Sequence, residues 1–142
     1  MSSVPSATNH KPSMAWNIFF WILQIFLGLA FGFGGYTKLI FPIETLTYQM
    51  VWPGDIPAAL VRFIGASELL GGIGMILPAV TRIRPALTAL AASGLALIMI
   101  LAMIFHFTRG EYAAIGVNAA FAAMALVVAW GRFKKAPITP WQ

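Results

Sequence analysis

Three windows of this chain, Met14 to Thr37, Pro85 to Phe105 and Tyr112 to Gly131, contain no charged residue. Each is long enough to cross a hydrocarbon layer of roughly 30 Å, which takes about 20 helical residues. A fourth window, Ala58 to Ala79, is as apolar except for Arg62 and Glu68. In lipid, backbone N–H and C=O groups must be satisfied within the chain, so such windows fold as helices. The predicted fold is all-α: a polytopic membrane protein built as a four-transmembrane-helix bundle, with helices at about 14–40, 58–79, 85–107 and 112–131. Only 9% of the 142 residues are charged. Soluble domains carry about 25%. No soluble domain is expected beside the bundle.

The remainder is short. Residues 1–13 form a polar N-terminal tail with too few apolar groups to fold alone. Residues 41–57, with two acids, Tyr48 and Trp52, suit an interfacial loop containing a short amphipathic helix. Residues 132–142 form a basic C-terminal tail. The first window is too long for a signal-peptide core and lacks a small-x-small cleavage pattern, so it is expected to be a retained helix. The Ala58 to Ala79 window is expected to end near Pro78, since proline cannot continue the backbone hydrogen bonding.

Four spans place both termini and the 81–85 turn on one side. That side holds Lys11, Arg82, Arg84, Arg132, Lys134 and Lys135 and no acid, which predicts cytoplasmic termini. The expected location is the cytoplasmic (inner) membrane of a bacterium. The net charge of +5 serves topology rather than nucleic-acid binding, because the basic residues flank apolar windows. The chain has no cysteine, which excludes disulfide and thiolate chemistry.

Polar residues inside the spans are the candidate site. Glu68 lies ten residues past Ala58, or about 15 Å deep. Intramembrane carboxyls are expensive and functional by default. At helical spacing its neighbours are Val61, Ile64, Gly65, Gly71, Gly72 and Met75, while Phe63, Leu70, Ile73 and Leu77 lie opposite. Glu68 is therefore expected to face the bundle and Phe63 to face lipid. Two readings stand side by side. In one, Glu68 is neutral and hydrogen-bonds Asn118 as interhelical glue. In the other, it pairs with Lys38, Arg62 or His106 as the polar end of a ligand or proton site. Lys38 and Arg62 are also suited to reach out to the membrane surface. Gly28 and Gly32 on the first span, with Gly65, Gly71 and Gly72 on the second, are expected to pack helices closely. His106 has no second ligand at metal spacing, so no metal site is expected.

"GGYTKLIFP", "RFIGASELLGGIGMILP" and "LTALAASGLALIMILAMIFHFTRGE" resemble the DoxX-like family over roughly residues 20–131. The family pattern falls on Gly35, Lys38, Leu39, Glu68, Leu69, Gly71, Gly74 and Pro78. The resemblance implies a small membrane subunit of quinone-linked, sulfur-oxidising oxidoreductases, or an assembly factor for other membrane proteins. Relatives that handle thiols need cysteines, which this chain lacks.

The expected function is a non-catalytic membrane subunit. It would anchor a larger complex or bind a hydrophobic ligand, a quinone or a lipid, near Glu68. Its expected partners are the bilayer and other membrane-protein chains or further copies of itself. An assembly factor is the alternative, and a proton or small-solute carrier ranks behind it. No nucleophile–base pair or cofactor loop suggests a stand-alone enzyme.

Overall fold

The computed structural model describes residues 11–142. Helix α1 (Met14–Ile40) opens at Ser13, whose hydroxyl accepts the Trp16 N–H at 3.5 Å. A short helix α2 (Ile43–Met50) and a 3-10 turn (Trp52–Asp55) follow. Then come α3 (Ala58–Thr81), α4 (Ala86–Thr108), α5 (Tyr112–Trp130) and a closing π-helical turn (Gly131–Lys135). Among the described residues, α1, α3, α4 and α5 with its closing turn are the four helices long and apolar enough to cross a membrane.

Two boundaries move from their expected places. Pro78 lies inside α3, which continues to Thr81 and a left-handed cap at Arg82. The proline removes one backbone donor, and three residues from the helix end that loss is small enough to tolerate. The last helix passes Gly131 because its closing turn curls inward and buries Gly131 and Arg132.

Helix α1 packs along α3, α3 against α4, and α4 against α5, while α5 closes back on α1 more sparsely. The buried stripe of α3 is Val61, Gly65, Glu68, Gly72, Met75 and Ala79. The matching stripe of α1 includes Phe20, Gln24, Leu27, Phe31 and Lys38. These spacings of three and four residues are the seam of a left-handed helix pair. Gly35 meets Gly65 and Gly28 meets Gly72, so the two helices run antiparallel. A Cβ on Gly35 would stand 2.5 Å from the Gly65 carbonyl oxygen, and one on Gly72 2.7 Å from the Gly28 oxygen and the Gly32 nitrogen. Only glycine permits backbones this close. Gly71 has a different neighbour, the Leu95 side chain of α4. A Cβ on Gly32 would meet nothing within 4 Å, so Gly32 lends its backbone rather than its own open side to the contact.

Leu27, Phe31, Met75, Leu95 and Met99 fill the centre, and alanines of α4 and α5 let those helices approach them. Phe63, Leu70, Ile73 and Leu77 are exposed, as is a row on α1 that includes Ile22, Leu29 and Phe33. Exposed apolar residues of this number suit contact with hydrocarbon rather than water. The bundle has a terminal end, with the α3–α4 turn and the C-terminal tail, and a loop end, with α2 and the α4–α5 turn.

Candidate functional site: an ion pair between α1 and α3

Glu68 is held by Lys38. The Lys38 ammonium donates to Glu68 Oε2 at 2.7 Å, with the two side chains 10% and 7% exposed. Lys38 belongs near the loop end of α1, yet its side chain runs back into the bundle, and its Nζ lies 3.5 Å from the Gly34 carbonyl oxygen. Helical side chains lean toward the helix N-terminus, and on α1 that direction leads inward. Lys38 therefore does not reach out to the membrane surface as its position in sequence suggested. The choice is energetic: a buried carboxylate without a counter-charge costs several kcal/mol, and the pair offsets much of it.

Gly65 makes room for this side chain, and Gly34 lies beside its charged end. A Cβ on Gly34 would stand 3.6 Å from Lys38 Nζ and 3.7 Å from Glu68 Oε2, and would meet no other neighbour. A Cβ on Gly65 would press against the Lys38 Cβ at 2.7 Å. Gly34 is half-buried and lies directly beside the pair. Among the described residues Glu68 Oε1 accepts no hydrogen bond.

Arg62 joins from α3. Its Nη1 donates to the Lys38 carbonyl and, at 2.8 Å, to the Phe41 carbonyl. These oxygens belong to the last turn of α1, where carbonyls lack helical donors. Arg62 thus caps α1 and fixes the backbone that carries Lys38. Lys38, Glu68 and Arg62 form one constellation.

His106 and Asn118 are not part of it. His106 Nδ1 lies 2.5 Å from Glu111 Oε2 at the loop end. Arg109 bonds Glu111 Oε1 at 2.9 Å and Asp55 Oδ2 at 2.7 Å. This clasp ties the α4–α5 turn to the 3-10 turn after α2, assisted by the Trp52 ring edge-on to Phe105 at 6.3 Å. The hydrogen bond to His106 is the main cause holding the Glu111 carboxyl below its ordinary pKa, and the Arg109 bond adds to it. Asn118 is half-buried and makes no side-chain hydrogen bond among the described residues, so the expected bond to Glu68 is absent there.

A second buried network escaped the reading of the sequence. Arg132, taken for a flanking cation of the tail, is 4% exposed. Its Nε donates to Gln24 Oε1, and its Nη1 to Asn17 Oδ1 at 2.7 Å and the Ala136 carbonyl at 3.0 Å. Gln24 in turn donates to the Met75 carbonyl at 2.7 Å, linking α1 to α3. The signal was present. Asn17 and Gln24 lie seven residues apart on one face of an otherwise apolar span, and polar groups there need partners. Among the described residues no group of three or more His, Cys, Asp or Glu side chains is placed to hold a metal.

A model of the DoxX-like family matches residues 22–128. No curated protein and no solved structure gives a significant match.

Proposed function

The chain belongs to the DoxX-like family, and from that membership and its buried ion pair we propose that it is a small non-catalytic subunit of the cytoplasmic membrane that binds the polar head of a hydrophobic ligand at Lys38 and Glu68. Both termini lie in the cytoplasm in this reading, on the positive-inside argument. The observation that carries it is the unused bonding capacity of the pair beside Gly34. Lys38 directs its ammonium at Glu68 and Gly34, which leaves one N–H. Glu68 keeps Oε1 without a partner among the described residues. A quinone fits this demand. Its carbonyl accepts from Lys38, and the hydroxyl of the quinol form donates to Glu68. Half-buried Gly34, which has no side chain of its own to cover the pair, is in this reading the point of approach from the hydrocarbon, where quinones dissolve. The protein's part is to bind and orient, and a partner redox chain supplies the chemistry.

The test is binding of a short-chain ubiquinone to the full chain in lipid nanodiscs, followed by native mass spectrometry. The Lys38→Met/Glu68→Leu double variant removes the polar pair while keeping apolar bulk. Saturable binding that disappears in the folded double variant supports the reading. Equal binding by both proteins, or none by either, rejects it.

A further inference from the structure

We propose that a cleft at the terminal end of the bundle, between the α3–α4 turn and the C-terminal tail, binds the phosphate of an anionic phospholipid headgroup, with Arg132 and Arg84 supplying the positive charge.

The argument starts from an unbalanced charge. Arg132 is nearly fully buried, and each of its hydrogen-bond acceptors is neutral: Gln24, Asn17 and the Ala136 carbonyl. Its remaining nitrogen, Nη2, has no partner among the described residues. The Phe20 and Trp21 rings lie 5.7 Å and 5.4 Å from its guanidinium carbon and stabilise the cation only partly. No acidic side chain of this chain is placed to complete the set. Its four acidic residues are Glu44, Asp55, Glu68 and Glu111. Glu68 is paired with Lys38, Asp55 and Glu111 with Arg109 at the loop end, and Glu44 lies on α2. A buried cation without a counter-ion is costly, so an anion from outside the chain stabilises this one.

The surroundings fit that anion. Arg132 lines a cleft of about 540 Å³, together with Arg84, Leu87, Phe133, Pro137 and Ile138. Arg84 is exposed, placing a free guanidinium at the mouth. A second orphaned group lies nearby in the chain: Thr88 Oγ1, one residue beyond Leu87, is buried and has no partner among the described residues. The tail that forms one wall is held in place. Trp141 Nε1 donates to the Thr81 carbonyl at 2.7 Å, and the Arg82 guanidinium lies 5.0 Å from the Trp141 ring centre. Charged and apolar walls in one cleft match an amphiphile. The phosphate bonds the exposed Arg84 and offsets the charge of Arg132, which lines the same cleft but is only 4% exposed. The glycerol and first methylenes lie along Leu87, Phe133 and Ile138. The cleft opens at the ends of membrane-spanning helices, which is headgroup depth, and basic pockets there take acidic lipid heads. Free phosphate offers the same charge without the apolar part.

The full chain, delipidated and reconstituted in phosphatidylcholine nanodiscs with or without phosphatidylglycerol, decides the matter. Native mass spectrometry reads bound lipid, and the thermal midpoint reads stabilisation. The proposal expects phosphatidylglycerol to be retained over phosphatidylcholine and to raise the midpoint. Arg84→Gln should weaken that retention about fivefold, as losing one cation near a charged headgroup does. Because Arg132→Gln also breaks the Gln24 network, Arg84→Gln carries the test, with circular dichroism confirming a native helix content. Three results overturn the proposal: equal retention of the two lipids, retention indifferent to folded Arg84→Gln, or inorganic phosphate alone raising the midpoint as much as phosphatidylglycerol does.

Discussion

Replacing Lys38 by methionine tests the central pair most directly. The substitution keeps the length of the stem and removes the ammonium. Lys38 Nζ and Glu68 Oε2 are 2.7 Å apart, with side chains 10% and 7% exposed, so water cannot take over the role of the lost cation. Removing one partner of a buried pair costs about 3–5 kcal/mol, because the other charge is left uncompensated. Replacing both partners by apolar groups of similar volume is close to neutral. Lys38→Met should therefore destabilise by about 3–5 kcal/mol, and Lys38→Met/Glu68→Leu should recover most of that loss. The coupling energy of the double-mutant cycle should be at least about 2 kcal/mol, within the range seen for residues in direct contact. Equilibrium unfolding in mixed detergent micelles, with SDS as denaturant and helix content followed by circular dichroism, measures all four corners. Additive effects, or a Lys38→Met loss below about 1 kcal/mol, would refute the claim that the pair is buried and mutually dependent.

Four further outcomes follow from the packing, the α1 cap and the loop clasp. Gly72→Ala drives a Cβ to 2.7 Å from backbone atoms of Gly28 and Gly32, which cannot rotate away, and should cost about 1–3 kcal/mol. Gly32→Ala meets open space and should be neutral or stabilising by up to about 1 kcal/mol in the same unfolding assay. Arg62→Gln removes the donor to the Lys38 and Phe41 carbonyls and should raise hydrogen exchange in the last turn of α1 while leaving the centre of α4 protected. The Glu111 carboxyl is held low by His106 and then Arg109, so its contribution is present above the ordinary carboxylate range and is lost as pH falls through its lowered folded value. Acid titration should thus release the α4–α5 turn and erase the difference between wild type and Glu111→Gln; a difference that persists in strong acid contradicts that sign.

Some of this was legible from the residues and some was not. The four spans follow from three uncharged windows and a fourth interrupted only by Arg62 and Glu68, and the inward face of α3 from the three-and-four spacing around Glu68. Lys38 stood among three candidate partners of Glu68, and the choice between them was not legible, because depth arithmetic places Cα atoms, while Lys38 carries its charge along its side chain to the level of Gly34. Arg132 was hidden for a different reason. A cation just past an apolar window looks like a topology signal, and nothing in local spacing says that the chain curls back in a closing turn. His106 belonged with Glu111 all along, five residues away, but a helix end lies between them, so helical spacing did not connect the two.

The two polar networks also explain how two helices with glycine-rich seams keep one register. The glycine contacts, Gly28 with Gly72 and Gly35 with Gly65, bring the backbones close but supply no directional side-chain bond across the seam. Gln24 and Lys38 lie on the same stripe of α1, fourteen residues apart, and each reaches α3 at a fixed point, the Met75 carbonyl and the Glu68 carboxylate. A slip of one turn, about 5.4 Å, would break both links together. It would leave a buried amide and a buried ammonium unsatisfied at opposite ends of the seam. The apolar residues and glycines make the close approach favourable, and the polar link at each end adds a directional bond that any other alignment would lose.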